Sequence, residues 1–273
     1  MYQMLFPGGR RRALTLSYDD GVSSDVRLIS IMKKHGLKGT FNLNAGLMTG
    51  AGNLNGREYV YRLRPEEARA AYQGMEIAVH GYTHPFFEQL PHDRAVYEAV
   101  RDREALEDLA GYPVRGMAYP YGTYDTAAVE ALRSCGVAYS RTVCSTHNFE
   151  IPSDWLVLHP TCHHDDPMLM ELGDRFLAEK APFGIKLFYV WGHSYEFLQK
   201  NNWHVIRDFC QKMSGKDDIW YATNIEIVDY INASRKLVSS ADGKIIYNPT
   251  STDIWADLNS QVIVIHAGET IHL

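Results

Sequence analysis

From residue 14 to about 233 the chain repeats one pattern. Short apolar runs rich in β-branched and aromatic residues alternate with longer stretches whose apolar residues recur at helical spacing. The runs predict strands at 14–18, 38–43, 75–79, 115–119, 137–142, 156–160, 185–190 and 219–222. The helices between them have legible ends. One starts at Ser24-Asp25 and stops before Gly36; one has Pro65 at its first position and ends by Gly74; a long one runs from about Asp93 to Ala110. Asp125 caps the next, which ends before Gly136. Asn202 is expected to cap 203–213, and Thr223 or Asn224 a last helix to about Ala233. Such alternation implies β-α units around parallel strands. Past residue 234 it gives way to short strand patterns at 244–247, 261–266 and 270–273, read as a small β appendage (235–273) packed on the main domain (1–234).

The chain has 273 residues, 45% of them hydrophobic, enough for a substantial core. The formal charge of −6 argues against nucleic acid as a partner, and Arg10-Arg11-Arg12 is too short for a nucleic-acid footprint. No run approaches the ~20 apolar residues that span a bilayer, so no membrane partner is expected. The first residues lack a basic segment followed by an apolar one, so a cytoplasmic location is expected. Four scattered cysteines suggest reduced thiols. Twelve histidines are the feature that asks for a metal site.

The polar clusters fall directly after predicted strands: Asp19-Asp20-Gly21, His80-Gly81-Tyr82-Thr83-His84, Pro120-Tyr121-Gly122 and Trp191-Gly192-His193. In a parallel barrel all of these emerge on the rim where active sites form. Two histidines four apart suit one helical turn and one metal ion, although read alone they are more simply two loop histidines with polar partners. Gly81, not Glu, follows the first histidine, which excludes the zincin mechanism. Asp19-Asp20-Gly21 read alone is a turn; read with the histidines, one carboxylate completes three ligands and the other is free to accept a proton from water.

These motifs together resemble the polysaccharide deacetylases, the NodB-homology carbohydrate esterases of family 4, over about residues 12–232. Leu16-Ser17-Tyr18-Asp19-Asp20-Gly21 is similar to their T-F-D-D-G motif, His80–His84 to H-(S/T)-x-x-H, Pro120-Tyr121-Gly122 to the core of R-x-P-(F/Y)-G, and Gly192-His193 to the last motif. The resemblance implies a distorted, incomplete (β/α) barrel of about seven parallel strands and one divalent metal ion, zinc in most members. It implies an acetylated carbohydrate as substrate, with Asp20, His80 and His84 as ligands, Asp19 as base and His193 as acid. Tyr121, through its backbone N–H, would help hold the oxyanion, and Pro120 and Trp191 would line the substrate site. A cyclic imide or ureide as substrate, or carbohydrate binding without catalysis, are the alternatives.

Two departures stand out. The third motif's Arg is Ala118 here, and Arg141 on the neighbouring strand is a candidate to supply the guanidinium to Asp19, against the plainer reading of an Arg paired with a surface acid. The fourth motif is blurred: Asp154-Trp155 is its nearest match and a candidate substrate-side pair, followed by the unusual run Leu158–Asp166 containing His159, His163 and His164.

Overall fold

The computed structural model describes residues 2–55, 58–181 and 184–273. In chain order the strands are β1 (Tyr2–Leu5), β2 (Arg12–Asp19), β3 (Gly39–Leu43), β4 (Gly52–Asn55), β5 (Glu58–Tyr61), β6 (Glu76–Val79), β7 (Gly116–Ala118), β8 (Tyr139–Arg141), β9 (Cys162–His163), β10 (Lys186–Gly192), β11 (Ile219–Tyr221), β12 (Val238–Ser239), β13 (Ile245–Tyr247), β14 (Ile254–Leu258), β15 (Gln261–Ile265) and β16 (Thr270–His272). The helices are α1 (Asp25–Lys34), α2 (Pro65–Ala71), α3 (His92–Ala110), α4 (Thr126–Ser134), α5 (Leu169–Ala178), α6 (Glu196–Gln199), α7 (His204–Met213) and α8 (Asn224–Ser234).

The central sheet runs β8-β7-β6-β3-β2-β10-β9, all parallel, with β11 also pairing with the start of β2. It curls into an incomplete barrel, the distorted α/β barrel expected. Every residue of β2 is buried, as in a strand covered on both faces. Helices α1–α5 and α7 carry their apolar stripes onto the sheet, joining Leu28, Met32, Leu106, Leu132, Leu172 and Phe209 to one core with Leu16, Phe41 and Phe188.

The strand expected at 156–160 is instead a 3-10 turn, Trp155–Val157, and a single parallel bridge from Leu158 to Arg141. Pro160 has no N–H to continue a ladder, and pairing resumes at Cys162 and His163 against β10. This broken segment therefore touches both edges of the sheet. Trp203, not Asn202, occupies the cap position of α7, while Asn202 accepts from the Val205 N–H through its backbone carbonyl.

Three pairings were not foreseen. β4 and β5 form an antiparallel hairpin. β1 pairs with β14, and β14 with β15, so the start of the chain is stitched to its last forty residues. A second core cluster sits there: Phe6, Trp155, Ile227, Ile231 and Ile254 pack together, and the Tyr230 hydroxyl donates to the Leu5 carbonyl. The remaining tail strands form the sheet β12-β13-β16.

Candidate active site

Parallel strands deliver their C-terminal ends to one rim, and β2, β6 and β10 deliver Asp19, His80 and His193 there. A cavity of about 440 Å³ opens between them, lined by Asp19, Asp20, His80, His84, Tyr119, Tyr121, Gly122, Val143, Trp191, His193 and Tyr195.

Asp19 is the buried centre of this cavity. Its Oδ2 receives the Arg141 Nη2, its Oδ1 accepts from Asn42 Nδ2 at 2.8 Å, and Oδ2 lies 3.9 Å from both His80 Nε2 and His193 Nε2. Burial acts to raise the Asp19 pKa, but Arg141, then His80 and His193, outweigh it and hold the carboxyl at about 2. Arg141 is itself fully buried, with its guanidinium 4.5 Å from the Trp191 ring centroid. In the sheet register Arg141 is the Cα partner of Ala118. The guanidinium missing at Ala118 is thus supplied from one strand over at the same level of the rim.

Asp20, His80 and His84 bring one ligand atom each to within 4.8 Å of one another. His84 Nε2 is 3.7 Å from Asp20 Oδ1, and the two imidazoles meet edge to face with centroids 4.8 Å apart. A turn, rather than a helix, brings the histidines together. Gly81 has φ +75° and His84 φ +60°, and a Cβ at residue 81 would meet Phe87 at 3.0 Å. His80 Nδ1 lies 2.8 Å from the Ala118 carbonyl, which fixes the proton on Nδ1 and leaves the Nε2 lone pair free for an ion. Burial keeps both imidazoles neutral: His80 is lowered, and His84, with His80 beside it, is lowered to about 4. Two neutral imidazoles and a carboxylate suit a divalent ion such as zinc.

Arg62, at the end of the β4–β5 hairpin, was not anticipated. It donates to Asp20 Oδ1 at 3.0 Å, to the Asp20 carbonyl at 2.6 Å and to Asn44 Oδ1 at 2.7 Å. Burial would raise the Asp20 carboxyl; Arg62 and the nearby imidazoles lower it. No local signal marks Arg62, because the hairpin brings it from forty-two positions away.

Pro120 is buried and begins a 3-10 turn in which Tyr121 takes φ +60°. That left-handed backbone, unusual for a bulky residue, turns the Tyr121 ring outward, where it stacks on Phe86 at 3.8 Å and is 52% exposed. Trp191 also lines the cavity. Asp154 and Trp155 are not brought to the cavity: Asp154 caps the 155–157 turn through Leu156 N–H, and the Trp155 indole donates to Asn232. His159 joins Asp154 along a separate hollow, with Nδ1 2.6 Å from Thr142 Oγ1. His163 and His164 instead converge behind His193 on Glu196, a residue missed although it stands at helical i,i+3 spacing from His193.

Residues 8–140, which hold the Asp-Asp-Gly, His-x-x-x-His and Pro-Tyr-Gly motifs, match the family model described as polysaccharide deacetylase. Among solved structures, a putative polysaccharide deacetylase from Mycobacterium smegmatis superposes with a TM-score of 0.62 at 18% identity, covering 86% of this chain and 95% of that one. Puue allantoinase gives a TM-score of 0.62 at 15% identity, over 82% and 91% of the two chains. A family 4 carbohydrate esterase from Streptomyces lividans, in complex with acetate, gives 0.50 at 17% identity, over 78% and 93%. At these identities the likenesses establish the fold. No curated protein matches the chain.

Proposed function

We propose that the protein is a metal-dependent hydrolase that removes the acetyl group from an N-acetylated sugar. The observation that carries this reading is the placement of Asp19, which touches a buried guanidinium and lies 3.9 Å from both a neutral ligand-type imidazole and the strand-end His193. Asp20, His80 and His84 would hold the ion. When bound, the ion lowers the pKa of water and polarises the acetamide carbonyl.

The chain's own residues do the rest. Asp19, kept ionised by Arg141, accepts the proton of the attacking water. The Tyr121 backbone N–H donates to the developing oxyanion. His193 Nε2 gives its proton to the departing nitrogen, which cannot leave as an amide anion. Burial alone would depress the His193 pKa, but Glu196, Asp19 and Asp20 outweigh it and raise it above the ordinary imidazole value, which favours the protonated form. Trp191 and the exposed Tyr121–Phe86 stack offer apolar faces for sugar C–H surfaces. A neighbouring hollow of about 520 Å³ shares Asp20 and Tyr195 with the cavity and leaves space for a flanking sugar.

The test is acetate release from N-acetylglucosamine and its oligomers, run beside hydrolysis of allantoin and cyclic imides. Acetate release abolished in Asp19→Asn supports the proposal. Turnover of the cyclic amides alone would transfer the same machinery to a ureide or imide, and turnover of neither by the metal-loaded protein would reject it.

A further inference from the structure

A histidine acts as an acid in one direction only if its ring is held, and Asp154, the candidate carboxylate of the fourth motif, is turned to the Leu156 N–H instead. The His193 Nδ1 is buried and has no hydrogen-bond partner among the described residues. Glu196 Oε1 lies 3.4 Å from it, and the other oxygen, Oε2, accepts from the His193 backbone N–H at 3.4 Å. The Glu196 N–H in turn donates to the His193 carbonyl at 3.1 Å, so the two residues close a single turn straight off β10.

The far side of the carboxylate is equally confined. His163 Nε2 lies 3.1 Å and His164 Nε2 3.0 Å from Glu196 Oε2. His163 Nδ1 accepts from the Asp165 N–H at 3.1 Å, which places that ring's proton on Nε2, facing Glu196. His164 is completely buried between the rings of Tyr18 and Phe197, 5.7 and 4.1 Å away. It fits only because residue 192 is glycine: a Cβ there would stand 1.9 Å from His164 Nδ1.

We propose that Glu196 is the positioning residue of His193, its Oε1 taking the Nδ1 proton so that Nε2 faces Asp19 and the cavity, with His163 and His164 clamping the carboxylate from behind. This rests on the reading of His193 as the acid. Burial works to raise the Glu196 pKa, and the three imidazoles lower it well below the usual carboxylate range, as an anionic acceptor requires. His163, His164, Asp165 and Glu196 also have the donor types of a second cation site. The geometry points away from that use, because the His163 nitrogen facing Glu196 carries its proton and Asp165 is engaged by Lys200 and Asn202.

The experiment follows the His193 ring in the metal-loaded protein by 15N chemical shift at pH 8, together with steady-state kinetics of acetate release. In Glu196→Ala the Nδ1 signal moves to that of an unprotonated nitrogen, kcat falls on the order of 10²-fold, and KM stays within about twofold. Glu196→Gln, which keeps an acceptor without the charge, restores the Nδ1 proton and part of kcat. An Nδ1 signal unchanged in Glu196→Ala would overturn the proposal, as would a second equivalent of zinc bound by the native protein and lost from that variant. If Glu196→Ala does not fold, Glu196→Gln decides alone: native kcat rejects the proposal, and reduced kcat at unchanged KM upholds it. The ring signal is read without turnover, so a protein inactive on acetylated sugars still tests Glu196.

Discussion

Replacing Arg141 by Met removes one charge of a buried pair, with side chains 1% and 3% exposed for Arg141 and Asp19. Surface ion pairs contribute little, but breaking a buried one strands the remaining charge. Asn42 still donates to Asp19, so the carboxylate keeps one hydrogen bond and loses its guanidinium. The expected cost is about 3–5 kcal/mol, which for a domain of this size lowers the melting temperature by about 10 °C. With Arg141 gone, burial dominates and the Asp19 pKa rises from its depressed value, so the low-pH limb of activity moves to higher pH. The double variant Arg141→Met/Asp19→Asn removes the stranded charge and regains most of the lost stability while remaining inactive. Differential scanning calorimetry on the four proteins of this cycle measures the coupling. A melting temperature for Arg141→Met within about 2 °C of native, or a double variant no more stable than the single one, would refute the reasoning.

Further outcomes follow from other parts of the structure. Gly192→Ala forces a Cβ into His164 and is expected to destabilise the fold by about 1–3 kcal/mol or more, read in urea unfolding. His84→Ala removes one of three metal donors and is expected to lose zinc on dialysis that the native protein retains, measured by plasma emission spectroscopy. Asp25 and Glu76 are buried with no salt-bridge partner among the described residues, and burial lifts each to about 7 despite the hydroxyl and amide donors around them. A carboxyl whose folded pKa is raised binds its proton more tightly when folded, so its stabilising contribution is full below about pH 4 and is lost as pH rises through about 7. The melting temperature should therefore decline between pH 5 and 8, and Asp25→Asn with Glu76→Gln should flatten that decline.

The site was legible where chemistry sits at the end of a regular strand. Asp19, Asp20, His80, Tyr121, Trp191 and His193 could be placed on one rim because parallel strands share a direction and each polar cluster directly follows an apolar run. Arg141 could be nominated on the same ground, one strand from Ala118. Residues that reach the site through irregular structure could not. Arg62 arrives on a hairpin whose strands are four residues each, too short to show periodicity. Asp154 and Trp155 carry the right residue types, but the Trp155–Val157 turn and Pro160 break the segment and aim them away from the cavity. The β1–β14 pairing joins short strands at opposite ends of the chain, a contact that no local pattern encodes. Glu196 had a signal, its i,i+3 spacing from His193, whereas its approach to His163 and His164 exists only once β9 lies beside β10.

The central claim is that one metal ion and the Asp19–His193 pair together release acetate. The most direct test measures acetate from N-acetylated glucosamine oligomers with zinc-loaded, chelator-stripped and reloaded protein, alongside zinc-loaded Asp19→Asn. Activity that tracks one equivalent of zinc and disappears in Asp19→Asn despite full zinc occupancy is the predicted result. Acetate release that survives stripping, or persists in Asp19→Asn, would contradict it.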